Sequence, residues 1–151
     1  MVYHTIVKHL VTQNFELVNQ KNYDALLKNC TPTIRHRFGG AHSLGGERND
    51  IDSVRLWFER LGRLLPGLTL KVTDVWVKGW PWDTVAIVRW DASDVCIDGS
   101  PYRNHGVHVL RMSWGWIIEI DANEDSQAVA DNLGLQAKHG IEEASAPQIV
   151  S

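Results

Sequence analysis

The sequence has little cysteine and no excess of basic charge. Its 151 residues include only two cysteines, Cys30 and Cys96, with no CxxC pair and no Cys/His spacing typical of a metal site. We therefore expect buried free thiols of a cytoplasmic protein rather than a disulfide or a metal centre. The formal net charge is -3, so the chain has neither the basic footprint of a nucleic-acid-binding protein nor a polybasic patch for a membrane surface.

Long apolar runs and phosphate-binding motifs are also missing. The first ten residues contain Lys8 and two histidines, which fits neither a signal peptide nor a membrane span. No GxGxxG, Walker or GxSxG motif occurs, and the glycine pairs at 39–40 and 45–46 lack phosphate-loop spacing. The sequence thus gives no reason to expect an organic cofactor, a nucleic-acid partner or a membrane partner.

Tryptophan, by contrast, is abundant, with seven residues against three Phe and three Tyr. Aromatic side chains suit a pleated, half-buried surface, so core packing is the simplest interpretation. A cluster on the concave side of a sheet would instead line an apolar ligand pocket. Trp116 lies close behind the other tryptophans of this region. Five tryptophans fall within the predicted sheet: Trp76, Trp80, Trp82, Trp90 and Trp114.

Hydrophobic periodicity predicts helices first and a β-meander afterwards. Helical spacing predicts helices over 3–20, 23–29 and 50–65, with a terminal helix over 125–133. Alternation predicts an early strand, Thr33 to Phe38, with His36 on its buried side. Four more strands are predicted over 68–78, 84–94, 102–113 and 116–121.

This order of elements predicts a single α+β domain. Three helices on one face of a strongly bent, mostly antiparallel sheet would leave a cavity between the two layers. We assign residues 1–135 to the domain and 136–151 to a C-terminal extension. The extension is rich in Ala, Ser and Glu, which is typical of a segment that is mobile or that contacts a partner.

The same order resembles the nuclear transport factor 2-like superfamily, particularly its SnoaL-like branch. The resemblance covers about residues 3–133 and rests on the stretches FELVNQKNYDALL (15–27), residues 57–67 with their Pro-Gly exit, VAIVRW (85–90) and WGWIIEID (114–121). It implies a cystatin-like α+β roll, a cone whose three helices enclose a pocket for an apolar small molecule, and a homodimer. The superfamily contains ketosteroid isomerases, polyketide cyclases, limonene-epoxide hydrolases and dehydratases, together with non-catalytic transport and association domains.

Arg89 and Asp91 are the first candidates for chemistry. They lie two residues apart on one predicted strand, so they share a face and are able to pair. Their RWD run resembles the Arg-x-Asp of limonene-epoxide hydrolases, in which an arginine and two aspartates activate a water and protonate the epoxide. That resemblance implies a catalytic role for Arg89, Asp91 and, as the second aspartate, Asp121. A surface ion pair and a strand-capping aspartate are the alternatives.

The histidines offer a second set of candidates. His36 is either a hydrogen-bonded core histidine or an acid/base group that works near neutral pH. His42 lies in the glycine-bracketed loop, where it either borders the pocket mouth or is a plain loop residue. His105 and His108 are three residues apart on a strand, so they point to opposite faces and do not both bind one metal ion.

The leading hypothesis is a small-molecule isomerase, cyclase or epoxide hydrolase that needs neither a cofactor nor a metal. Asp121 or Asp91 would serve as acid or base, Arg89 would orient it, and His36 is the further catalytic candidate. The predicted substrate contacts are His42, Phe38, Trp57, Trp90, Tyr102 and His105. Two alternatives stay open, a non-catalytic binding domain with a purely aromatic and aliphatic cavity, and a dimer module with exposed apolar residues on the convex face of its sheet.

Overall fold

The computed structural model describes residues 2–151, which form four α-helices and six β-strands. The helices are α1 (Val2–Asn19), α2 (Tyr23–Leu27), α3 (Ile51–Leu64) and α4 (Ser126–Lys138). The strands are β1 (Cys30–Phe38), β2 (Gly46–Arg48), β3 (Thr69–Trp80), β4 (Asp83–Val95), β5 (Pro101–Ser113) and β6 (Trp116–Glu124), and a short 3₁₀ helix spans Glu142–Ser145. The α+β prediction is confirmed.

All six strands belong to one bent, open sheet with the order β2-β1-β6-β5-β4-β3. β3 to β6 form the predicted antiparallel meander, and β1 joins its far edge through a parallel pairing with β6. β2 was not predicted. It has three residues and pairs antiparallel with β1, which sets Arg48 directly opposite His36.

Side-chain alternation gives the sheet two different faces. On β4 the buried side chains are Thr84, Ala86, Val88, Trp90 and Ala92, whereas Ile87, Arg89 and Asp91 between them are exposed. The buried set joins the core that the helices complete. We call this the inner face and the opposite one the outer face.

Two aspartate caps fix the helices that lie over the inner face. Asp50 caps α3 by accepting a hydrogen bond from the Ser53 amide at 2.8 Å. Asp125 caps α4 by accepting from the amides of Gln127 and Ala128. α3 then buries Val54, Trp57, Phe58, Leu61 and Leu64.

Of the helices within residues 2–151, none combines the length and apolar character that a membrane crossing needs.

Residues 136–151 pack against the domain in the structure. α4 continues through the predicted boundary to Lys138. Beyond it, Glu143 pairs with Arg63 at 2.7 Å, and the Gln148 side-chain amide donates to the Gly40 carbonyl at 3.1 Å. The extension therefore covers α3 and the loop that precedes β2. A contact of this segment with a partner stays a prediction.

The tryptophans do not form the expected buried group. Trp57 and Trp90 are buried, but five others are 47–67% exposed: Trp76, Trp80, Trp82, Trp114 and Trp116. The interpretation as core is therefore wrong for most of the tryptophans in the sheet. The sequence misleads here because β3 carries apolar residues on both faces, with Val75 and Val77 half-buried and Trp76 outside.

Candidate functional site

A cavity of about 90 Å³ lies between the inner face of the sheet and the helices. Its wall is almost entirely apolar and receives side chains from both layers, including Phe15, Trp57, Trp90, Ile120 and Val129. Pockets that hold drug-sized ligands usually measure about 300–1,000 Å³. The cavity therefore suits a small apolar group as it stands, and a larger ligand requires side chains in the wall to move.

Tyr102 and Asn104 form a polar pair in this wall. The Asn104 side-chain amide donates to the Tyr102 hydroxyl at 2.9 Å, and the Asn104 carbonyl oxygen accepts from the backbone amides of His105 and Asp125. Burial raises the pKa of Tyr102 to about 12. The phenol is therefore protonated at neutral pH and has its O–H available to donate to a ligand oxygen.

His108 is a neutral imidazole in the same wall. Its Nδ1 accepts a hydrogen bond from the indole N–H of Trp90 at 2.7 Å, and its ring also meets Phe15 edge-on. Burial lowers the pKa of His108 to about 4. Because Nδ1 accepts, the proton of the neutral ring is on Nε2, which makes that nitrogen a donor.

His36 is the most deeply buried ionisable residue of the wall, at 1% exposed. Its ring packs against Trp57 at 4.3 Å and Phe58 at 5.8 Å between centroids, and its Nδ1 is buried without a hydrogen-bond partner. Burial, and then the positive charge of Arg48 and the nearby His108, hold the pKa of His36 well below its usual range. His36 is thus an unprotonated base in an apolar environment.

Five of the predicted site residues line the cavity: His36, Phe38, Trp57, Trp90 and Tyr102. His42 is half-buried outside the wall, with its ring 6.1 Å from that of Phe38. Its Nδ1 accepts from the Leu44 amide, and its Nε2 is buried without a partner. Burial lowers the pKa of His42. Five residues of the site prediction thus lie in the cavity wall, and His42 lies outside it.

Arg89, Asp91, Asp121 and His105 lie on the outer face, away from the cavity. Arg89 does not pair with Asp91 but approaches Asp74 at 3.8 Å and lies over the Trp76 ring. Asp121 pairs with Arg37 at 2.8 Å. Alternation is the physical reason, because Trp90 points inward between Arg89 and Asp91, and Asp121 sits between the buried Ile120 and Ala122. The epoxide-hydrolase triad is therefore not assembled in the cavity.

The polar residues that the prediction missed are His108, Asn104 and Asn14. Counting by twos along β5 from the buried Leu110 places His108, Asn104 and Tyr102 on one face. That signal was present in the sequence, yet of these three residues only Tyr102 was predicted as a substrate contact, together with His105 of the opposite face. Asn14 had no comparable signal, because it lies on a helix whose apolar face is wide.

No carboxylate lines the cavity in the part of the chain that the structure describes. Glu124 is the carboxylate that most resembles a buried acid/base group, since burial raises its pKa and its Oε2 is buried without a partner. It lies at the end of β6, where its other oxygen accepts from the Ser126 hydroxyl, and it does not line the wall. Residues 2–151 also contain no group of three His, Cys, Asp or Glu that could hold a metal ion.

Comparison with known proteins assigns the fold and the family. The family described as the SnoaL-like domain matches residues 11–120. PrhC from Penicillium brasilianum NBRC 6234 is 17% identical, with a TM-score of 0.74 over 90% of this chain and 91% of that one. A candidate polyketide cyclase from Sinorhizobium meliloti is 17% identical, with a TM-score of 0.60 over 76% and 94%. TerC, co-crystallised with polyporic acid, is 13% identical, with a TM-score of 0.70 over 82% and 94%.

Curated protein sequences include no match to the chain. The chain resembles solved structures in its fold, and the family match covers most of its helices and most of its sheet. The chain belongs to the SnoaL-like domain family and has the nuclear transport factor 2-like fold.

Proposed function

We propose that the protein is a cofactor-independent small-molecule enzyme of the isomerase or cyclase type, which moves a proton on a ligand held in the apolar cavity. The observation that carries the proposal is His36, a neutral imidazole with a free ring nitrogen in the cavity wall. His36 on the inner face therefore replaces Asp91 and Asp121 on the outer face as the proposed acid/base group.

The chemistry that suits these groups is proton transfer next to a carbonyl. His36 would take a proton from the carbon beside the carbonyl, which leaves the electron pair of the broken C–H bond in an enolate. The Tyr102 hydroxyl or the His108 Nε2–H would donate a hydrogen bond to the enolate oxygen. Return of the proton from His36 to another carbon completes an isomerisation. In a cyclisation, the enolate carbon attacks a second carbonyl, and the alkoxide oxygen that forms takes the proton back from His36.

The comparisons support an organic small molecule as the ligand. A structural relative is named as a candidate polyketide cyclase, another as a candidate isomerase from Bacillus subtilis, and TerC was co-crystallised with an organic acid. These relatives are 13–17% identical to the chain, so their names suggest a class of chemistry and not a substrate.

A small enone tests this proposal directly. We expect the protein to convert 3-cyclohexen-1-one into its conjugated isomer, as measured by ultraviolet absorbance. Tyr102→Phe should slow that conversion by about 10²- to 10³-fold, because an oxyanion donor is lost. Tyr23→Phe removes a hydroxyl outside the wall and should leave the rate unchanged. If the enone binds and is never converted, the cavity belongs to a non-catalytic binding domain and the enzymatic proposal fails.

The outer face supports a second role, in dimerisation. Trp76 and Ile87 are directly opposite each other on β3 and β4 and are 47% and 37% exposed. The same face carries Arg89 beside Asp74 and Arg111 beside Asp83. Under a two-fold axis, a surface of mixed charge can place the cations of one copy against the anions of the other. We propose a second copy of the chain as the partner.

Charge placed in the middle of this face should separate the two copies. Trp76→Lys is expected to convert a dimer into a folded monomer, as measured by light scattering after size exclusion. Trp114→Lys is the control for this substitution. It makes the same side-chain change at a peripheral position, the β5–β6 turn. A wild-type protein that is monomeric at high concentration would contradict the proposal.

A further inference from the structure

Arg48 is a buried arginine that lacks a negatively charged partner. It is 0% exposed and is the largest fully buried side chain. Its Nη2 donates to the Gly45 and Gly46 carbonyls at 3.2 and 2.6 Å, but its Nε and Nη1 are buried without partners. The adjacent carboxylate, Glu47, bonds Arg35 instead. A buried charge with unmet donors is costly, so its presence requires an explanation.

The unmet donors lie beside the cavity. Arg48 is the register partner of His36 across β1 and β2, so both side chains project from the same face, with Cβ atoms about 5 Å apart. The guanidinium lies 5.4 Å over the ring of Trp57, and that ring packs on His36. His36 and Trp57 belong to the cavity wall. Arg48 therefore adjoins the wall, and both Arg48 and His36 have polar atoms without partners there.

The surroundings of Arg48 favour an anion. Burial, and then the positive charge of Arg60, lower the pKa of Arg48 to about 10, so the guanidinium is still charged at neutral pH. Arg60 itself is held by the Ser43 and Pro147 carbonyls and by Glu143. Among the described residues, no carboxylate forms an ion pair with Arg48. Arg48 thus carries a positive charge beside the cavity wall that no carboxylate of the described residues neutralises.

We propose that Arg48 binds a carboxylate on the ligand, which makes a small apolar carboxylic acid the ligand class of this cavity. Nε–H and Nη1–H of a guanidinium point in different directions, so a carboxylate oxygen accepts one charge-assisted hydrogen bond from one of these two free donors. An acid held there has its next carbon beside His36, the neighbouring residue of the wall. Because Arg48 adjoins the wall and does not line it, Trp57 or the arginine side chain shifts when the acid binds. The inference rests on the proposed function only in placing the ligand in the same cavity.

Isobutyrate and isobutyramide test this, since they share one shape and differ in charge. We expect the wild-type protein to bind isobutyrate at least about tenfold more tightly, as measured from the shift of the Trp57 indole N–H in ¹H–¹⁵N spectra. Arg48→Met should remove that preference and leave isobutyramide binding in place. Arg55→Met, an exposed arginine of α3 that pairs with Asp24, makes the same change of net charge and should keep the preference.

Thermal unfolding adds a readout that separates ligand binding from a structural role. Without ligand, Arg48→Met should raise the unfolding midpoint, because an unpaired buried charge has been removed. A lowered midpoint would overturn the proposal, and so would equal affinity of the wild-type protein for the two probes or a preference that survives in Arg48→Met. If carboxylate preference is absent while the enone is still isomerised, only this inference fails. If the enone is not converted, the proposed function fails separately.

Discussion

Replacing His36 with Gln is expected to slow enone isomerisation by about 10²- to 10⁴-fold, the contribution typical of a positioned general base. Glutamine is close to histidine in size and polar, so the wall of the cavity keeps its packing while the proton acceptor is lost. The loss should appear in kcat with little change in KM, because the substitution removes an interaction of the transition state and not of binding.

The control for this substitution is His139→Gln. His139 is exposed at the end of α4, so its replacement should leave the rate unchanged. A His36→Gln protein that is folded by circular dichroism and as fast as the wild type would rule out His36 as the base.

The pH dependence of the same reaction gives an independent check. Burial, and then the charges of Arg48 on β2 and His108 on β5, lower the pKa of His36 well below the usual 6.5. A base with a lowered pKa is fully unprotonated above pH 6.5, so the wild-type rate should be level through neutrality and fall only in acid. A rate that falls as pH drops from about 7.5 to 6.5 would indicate a solvated histidine as the base.

The sequence predicted the fold well because its signals are periodic. The amphipathic helix over 50–65 and the alternating strands of the meander correspond to α3 and to β3–β6 within a few residues. The same alternation put Arg89 and Asp91 on one face and Trp90 on the other, and the structure agrees. Periodicity does not say which face meets the helices. Arg89 and Asp91, which were predicted to face the pocket, lie on the outer face.

The anion site could not be predicted, because it depends on pairing between distant segments. β2 contains only three residues, which is too short for a periodic signal, and it follows a glycine pair that looks like a loop. Gly46 opens it with a φ of +93°, a conformation that L-residues with a side chain rarely adopt. Only the register with β1 places Arg48 opposite His36.

The stability of the protein should fall steeply as pH is lowered from about 6.5 to 4. In this window the unfolded chain binds protons at His108 that the native state excludes, because the native pKa of His108 is about 4. The contribution is complete above pH 6.5 and is lost as pH falls to the native value. His108 alone should account for about 3 kcal/mol of unfolding free energy across this range, at 1.36 kcal/mol per pKa unit. His36 acts in the same direction.

Carboxylates do not reproduce this dependence. Glu47 and Glu143 have pKa values that their arginine partners lower from 4.5, so they destabilise the protein mainly below that pH. Glu124 has a raised pKa and gives a small opposing effect. In urea unfolding at about pH 7, 5.5 and 4.5, His108→Gln should therefore flatten the pH dependence, with a lower stability at neutrality because packing against Trp90 and Phe15 is lost. His139→Gln should follow the wild-type curve, and identical curves for His108→Gln and wild type would show that His108 titrates normally in the folded protein.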